Sequence, residues 1–126
     1  MAKILVIDDD SDFANATRMV LEKEGHTFIR AASGKEGFQR AKEELPDLII
    51  LDVMMDSILD GLSTSRNLSQ EPNTADIPII MATSIASTSY AEYFPTDEYI
   101  HVRAFLSKPV RPADLVRQVN RFLPKS

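Results

Sequence analysis

The sequence predicts a doubly wound α/β fold on a parallel sheet, and three observations carry that prediction. First, the runs Ile4-Leu5-Val6-Ile7, Leu48-Ile49-Ile50-Leu51 and Ile77-Pro78-Ile79-Ile80-Met81 are short, apolar and rich in branched residues, as strands buried on both faces are. Second, patterns at helical spacing separate them. Third, acidic, hydroxyl and lysine residues stand where the apolar runs end, and this fold class places its ligands beyond the C-terminal ends of its strands.

After the first strand, Phe13, Ala16, Val20 and Leu21 repeat at helical spacing. Asp10 or Ser11 is a suitable N-cap, and Gly25 a suitable stop after Glu22-Lys23-Glu24. Thr27 to Ala31 is a weaker strand. A second helical pattern, Gly37, Phe38, Ala41 and Leu45, ends at Pro46, which disfavours helical geometry in the residue before it. Pro112 fits the first turn of a closing helix whose apolar stripe is Leu115, Val119 and Phe122, flanked by Val116 and Leu123.

At 126 residues and 44% apolar composition, with no repeat, low-complexity tract or Gly/Ser linker, the expectation is one domain over 1–126. The absence of cysteine excludes disulfides and thiolate metal sites. No apolar stretch approaches the roughly 20 residues of a membrane span, and Met1-Ala2-Lys3 leads straight into the first strand, so the expected location is the cytoplasm. A net charge of -5 argues against direct nucleic-acid binding, which needs a clustered basic surface.

The strand ends carry Asp8-Asp9-Asp10, Asp52, Thr83-Ser84 and, after a last strand, Lys108-Pro109. One such aspartate is ordinarily a helix cap. Several sharing one rim repel one another and call for a hard cation with oxygen ligands; magnesium, which uses few carboxylates and completes its shell with water and phosphate oxygens, fits best. Lys108 and Thr83 would add an ammonium and a hydroxyl to bind the oxygens of a transferring phosphoryl group.

The start Lys3-Ile-Leu-Val-Ile-Asp-Asp-Asp, the run Pro46-Asp-Leu-Ile-Ile-Leu-Asp-Val-Met-Met, the tripeptide Met81-Ala-Thr and the segment Phe105-Leu-Ser-Lys-Pro together resemble the receiver domains of two-component response regulators, from Lys3 to Leu123. The resemblance implies a flavodoxin-like fold, a five-stranded parallel sheet in the order 2-1-3-4-5 with helices on both faces. It makes Asp52 the phosphoacceptor, charged from the phosphohistidine of a sensor kinase or phosphotransfer protein. It assigns Mg2+ to Asp8, Asp9, Asp52 and the backbone carbonyl of Met54, with Asp9 a direct ligand and Asp10 left as a cap. Lys108 would bind the phosphoryl group. Thr83 and Phe105 would be the switch pair that alters the last crossovers, read by a downstream protein or an output domain beyond Ser126. Such a domain is a switch that promotes its own phosphorylation and dephosphorylation rather than an ordinary enzyme. Family members usually have a cis bond at the position of Lys108–Pro109.

The chain departs from the family pattern in two loops. Asp56 stands where a proline is usual and Gly61 arrives one residue late. Between Thr83 and Lys108 the fourth crossover is extended or irregular, and Tyr90, Tyr93, Phe94 and Tyr99 are open to two readings, a partner surface or local packing. His26 and His101 match no family site and lack a second ligand at metal spacing. The enzymatic rival is a haloacid-dehalogenase-type phosphatase, but Asp8-Asp9-Asp10-Ser11-Asp12 puts Asp12 where that signature needs Thr or Val. A receiver-like module that binds without phosphorylation is the other alternative.

Overall fold

A computed structural model describes residues 2–52, 64, 66–83, 102–107 and 110–123, with backbone alone for 83, 102–105 and 107. In chain order the elements are β1 (Lys3–Ile7), α1 (Ser11–Lys23), β2 (Thr27–Ala31), α2 (Gly34–Glu44), β3 (Leu48–Asp52), β4 (Ile79–Thr83), β5 (Val102–Ser107) and a closing helix, Pro112–Phe122. Residues 66–70 are also helical. The sheet has five strands in the order β2-β1-β3-β4-β5, and each neighbouring pair is parallel. The expected order is therefore observed. The expected irregularity of the fourth crossover falls outside the described residues.

Strand side chains alternate between two faces, and the core divides accordingly. Leu5, Ile7, Ile49, Leu51, Ile79 and Met81 pack on the side of Ala41 from α2, together with Leu68. Ile4, Val6, Leu48, Ile50, Ile80 and Ala82 pack on the side of Leu21 from α1 and Leu115 and Val119 from the closing helix. Every residue of β3 is buried, as a central parallel strand covered on both faces must be.

Three sequence expectations are corrected here. On α1 the buried row is Ala14, Thr17 and Leu21, with Phe13 and Val20 partly buried, whereas Ala16 faces solvent. Leu45 lies beyond α2, 54% exposed, in the left-handed region at φ 46. It is the turn residue that ends the helix rather than the last member of the buried stripe. The fourth strand begins at Ile79, not Ile77, because the Ile77 N–H donates to Thr74 O in a turn and Pro78 has no N–H for the ladder. The Pro78 carbonyl still accepts from Ile49 N at 3.0 Å.

The helix ends are specified locally. Gly25, at φ 87, follows α1; its N–H donates to Glu22 O and that of His26 to Leu21 O, the paired bonds of a Schellman motif. Ser33 caps α2 by accepting from Glu36 N at 3.1 Å, while Glu36 Oε1 reaches back to Ala32 N at 3.2 Å. His26 Nδ1 accepts from Ala2 N at 3.3 Å, a structural contact consistent with its lack of a metal-site partner in the sequence.

Gly37 is where α2 comes closest to the sheet. A Cβ there would lie 2.6 Å from Ile7 Cγ1 and 2.8 Å from Ile7 Cγ2, and Ile7 is fully buried. Alanine in a helix interior is worth about 1 kcal/mol over glycine, but overpacking a fixed core costs about 1–3 kcal/mol. Because the branched carbons Cγ1 and Cγ2 are struck as well as the Cδ1 tip, turning the tip aside cannot relieve the clash, which should win. Gly37→Ala is expected to lower unfolding stability by roughly 1–2 kcal/mol in urea denaturation, and a stabilised variant would show that α2 can lift off the sheet at no cost.

Candidate functional site

The chain runs from β1 outward to β2, then crosses back to form β3 on the other side of β1, so the sheet changes direction between β1 and β3. Ligands of doubly wound folds bind at such a switch point. Ile7 is in register with Leu51, and the next residues along the two strands are Asp8 and Asp52. Sheet register alone thus brings two aspartates of distant sequence position to one level of the crevice.

Asp8 is fully buried and Asp52 is 3% exposed, while Asp9 is exposed. One carboxylate oxygen from each of Asp8, Asp9 and Asp52 lies within 4.8 Å of the other two. At an effective dielectric of about 20, two ionised carboxylates at that distance repel by roughly 3 kcal/mol, and the exposed Asp9 contributes less through solvent screening. A hard divalent cation reverses the sign of that energy, and an all-oxygen donor set with two carboxylates held by strands suits one. The backbone of Asp8 is tied to β2, its N–H donating to Ala31 O at 2.9 Å, and its Oδ1 accepts from Asp10 N at 2.8 Å.

Asp10 itself faces the other way. Its Oδ1 accepts from Asp12 N at 3.0 Å and Phe13 N at 3.3 Å, so it is the N-cap of α1. In a phosphatase of the rival class the second aspartate of the signature would have to serve the substrate, and here that carboxylate is occupied by the helix end.

Thr83 ends β4 one residue beyond Ala82, which is in register with Asp52, and it pairs with Ser107 at the end of β5. Its backbone therefore stands one strand away from Asp52 and one residue further along. Phe105 is in register with Met81 on β5. The side chains of Thr83 and Phe105, and the whole of Met54, Asp56, Gly61, Lys108, Pro109 and His101, lie outside the described residues, as does the Tyr90, Tyr93, Phe94 and Tyr99 segment.

One residue at the site was missed by sequence reasoning. Arg30, next to last in β2 and half-buried, donates from Nη2 to the carbonyl oxygen of Asp8 at 3.2 Å. A bond to a main-chain carbonyl leaves no pattern of residue types, so the signal available was position alone: an arginine one residue from the end of the strand beside β1.

Among the described residues no helix is long and apolar enough to cross a membrane. The family model described as "Response regulator receiver domain" matches residues 4–120. The chain is similar to Protein PilH of Pseudomonas aeruginosa, 30% identical over 98% of both chains. It spans only about half, or less, of the length of several other relatives, which are transcriptional regulators. Among solved structures it resembles a putative response regulator from Chloroflexus aurantiacus, 32% identical with a TM-score of 0.83 and 98% of both chains covered. It also resembles the receiver domain of the sensor histidine kinase PA1611 from Pseudomonas aeruginosa, crystallised with a magnesium ion in its active-site cleft, at 25% identity, TM-score 0.83 and 96% coverage of both chains. With the register-built acidic crevice and a family match over nearly the whole length, this chain belongs to the response regulator receiver domains, the signalling switches of two-component systems.

Proposed function

We propose that the chain accepts a phosphoryl group on Asp52 from the phosphohistidine of a sensor kinase or phosphotransfer protein, with Mg2+ held by Asp8, Asp9, Asp52 and the Met54 carbonyl. The observation that carries this reading is the meeting of the Asp8, Asp9 and Asp52 oxygens within 4.8 Å at the switch point. The magnesium-bearing cleft of the similar PA1611 receiver supports it.

A carboxylate oxygen of Asp52 attacks phosphorus as the bond from phosphorus to the donor imidazole nitrogen breaks, leaving an acyl phosphate and a neutral imidazole once that nitrogen is protonated. Asp52 suits this role because it ends a strand buried along its whole length, which fixes its carboxylate without making it a core group. Bound magnesium supplies positive charge to offset that of the aspartates and of the transferring phosphoryl oxygens. Asp8, held by its bonds to Ala31 and Asp10, and Asp9 beside it bind and orient that cation.

By family resemblance Lys108 binds the phosphoryl oxygens, Thr83 closes on them, and Phe105 follows. The last crossovers then present a changed surface to a downstream protein or an output domain. The backbone positions of Thr83 and Phe105, on strands next to and beyond that of Asp52, are compatible with this role. The proposed compartment is the cytoplasm, where the kinase's phosphohistidine would be met.

The test is intact-mass spectrometry after incubation with acetyl phosphate, with and without Mg2+. Gain of one phosphoryl group that depends on Mg2+ is expected. A folded, Mg2+-replete chain that gains nothing would overturn the reading and favour a module that binds without phosphorylation.

A further inference from the structure

We propose that Arg30 is a positioning residue for the cation site, aiming the Asp9 carboxylate by fixing the Asp8–Asp9 peptide, and that it acts through this geometry rather than through its charge. The inference rests on the cation reading given above and adds a residue to it.

Two bonds tie Asp8 to β2. Its N–H donates to Ala31 O at 2.9 Å, and its carbonyl accepts from Arg30 Nη2 at 3.2 Å. Since β2 ends at Ala31, the guanidinium supplies the donor that a longer strand would have provided from its backbone. The carbonyl of Asp8 belongs to the peptide that carries the nitrogen of Asp9. That peptide is planar, so fixing its oxygen fixes the direction in which the chain leaves toward the Asp9 Cα.

Asp9 needs such help more than its partners do. Asp8 and Asp52 are buried and held by the sheet, whereas Asp9 is exposed and follows the last residue bonded to β2. An exposed carboxylate kept within 4.8 Å of two buried ones loses side-chain freedom against their repulsion. A rigid backbone beneath it lowers the entropy still to be lost when a cation binds.

The placement of Arg30 also has a cost that a surface arginine would not bear. Its Nε atom is buried and, among the described residues, has no hydrogen-bond partner. A donor removed from water without a partner is destabilising, so a role in stability alone explains the arrangement poorly. Its Nη2 donates to the one carbonyl that leads to Asp9.

The two ways Arg30 could influence the site have opposite signs. A nearby positive charge repels a divalent cation, so its removal would tighten cation binding. A positioning group favours binding, so its removal would weaken it; loss of an outer-shell partner of a metal ligand commonly costs 10–100-fold in affinity.

The experiment is titration of the full chain with Mn2+ alone, followed by the EPR signal of free Mn2+, for the wild type, R30M, R30K, D9N and the R30M/D9N double variant, with thermal melts to establish folding. R30M is expected to bind Mn2+ about 10-fold more weakly than the wild type. R30K, which can still donate to the Asp8 carbonyl, should stay within about threefold, and in the D9N background R30M should change affinity by less than about twofold. Affinity in R30M equal to or above that of the wild type, a loss in R30K as large as in R30M, or a full loss persisting in the D9N background would each overturn the proposal. Should R30M fail to fold, R30L, which also lacks a donor, carries the same expectations. A wild type that binds no Mn2+ would instead remove the cation reading on which the inference stands.

Discussion

Asp52→Asn is expected to take up no phosphoryl group from acetyl phosphate under conditions where the wild type gains one. The substitution keeps the shape of a side chain that is 3% exposed at the end of β3, so the sheet has no steric reason to rearrange. What changes is the chemistry. An amide oxygen is a far weaker nucleophile than a carboxylate oxygen, and one of the side chain's two oxygens becomes an NH2 group, which does not bind a cation. Intact mass reads the result directly. A D52N chain that still gains a phosphoryl group would move the acceptor to another residue, and peptide mapping would locate it. Without Mg2+ the same variant should be more stable than the wild type, because it removes a partner in a repulsion of roughly 3 kcal/mol per close pair of carboxylates. With Mg2+ present the order should narrow or reverse, since only the wild type keeps all three carboxylates for the ion. Urea denaturation with and without the ion measures both effects.

Leu51→Ala is expected to have the largest effect on stability, about 2–5 kcal/mol, against a total of 5–15 kcal/mol for a typical domain. Leu51 is fully buried, sits beside Ile7 and Met81 on neighbouring strands, and belongs to the cluster under α2. Truncation leaves a cavity whose strand walls are held by their own ladders on both sides, so collapse around it is limited. A urea midpoint shift equivalent to less than about 1 kcal/mol would mean that the centre of the sheet can repack.

The parts of the fold that could be read from sequence are those where one physical demand overrides the rest. β1 and β3 are covered on both faces, so residues 4–7 and 48–51 are all apolar and their assignment needed no alternation. Asp10 could be read as a cap because it stands just before a helical pattern and next to better-placed acids. Ala16 was misplaced because alanine is accepted on either side of a helix, so its spacing with Phe13 and Val20 carried little information. Leu45 satisfied the helical spacing too, but it ends α2 in the left-handed region just before Pro46, exposed rather than packed. Ile77 looked like strand until Pro78 denied the ladder a donor. At the site, the three aspartates were legible because carboxylates at strand ends have few other reasons to accumulate. Arg30 was not, because its partner is a main-chain oxygen, which every residue has.

The strand order also sets when the acidic crevice can first exist during synthesis. Everything that brings Asp8, Asp9 and Asp52 together, namely β1, its neighbours β2 and β3 and the two helices between them, lies within the first 52 residues. As the chain leaves the ribosome N-terminus first, the mutually repelling acids can meet while the later strands bearing Thr83 and Phe105 are still being made. An ion captured at that stage would stabilise a half-formed sheet, and the groups proposed to read the phosphoryl state would dock onto a site already assembled.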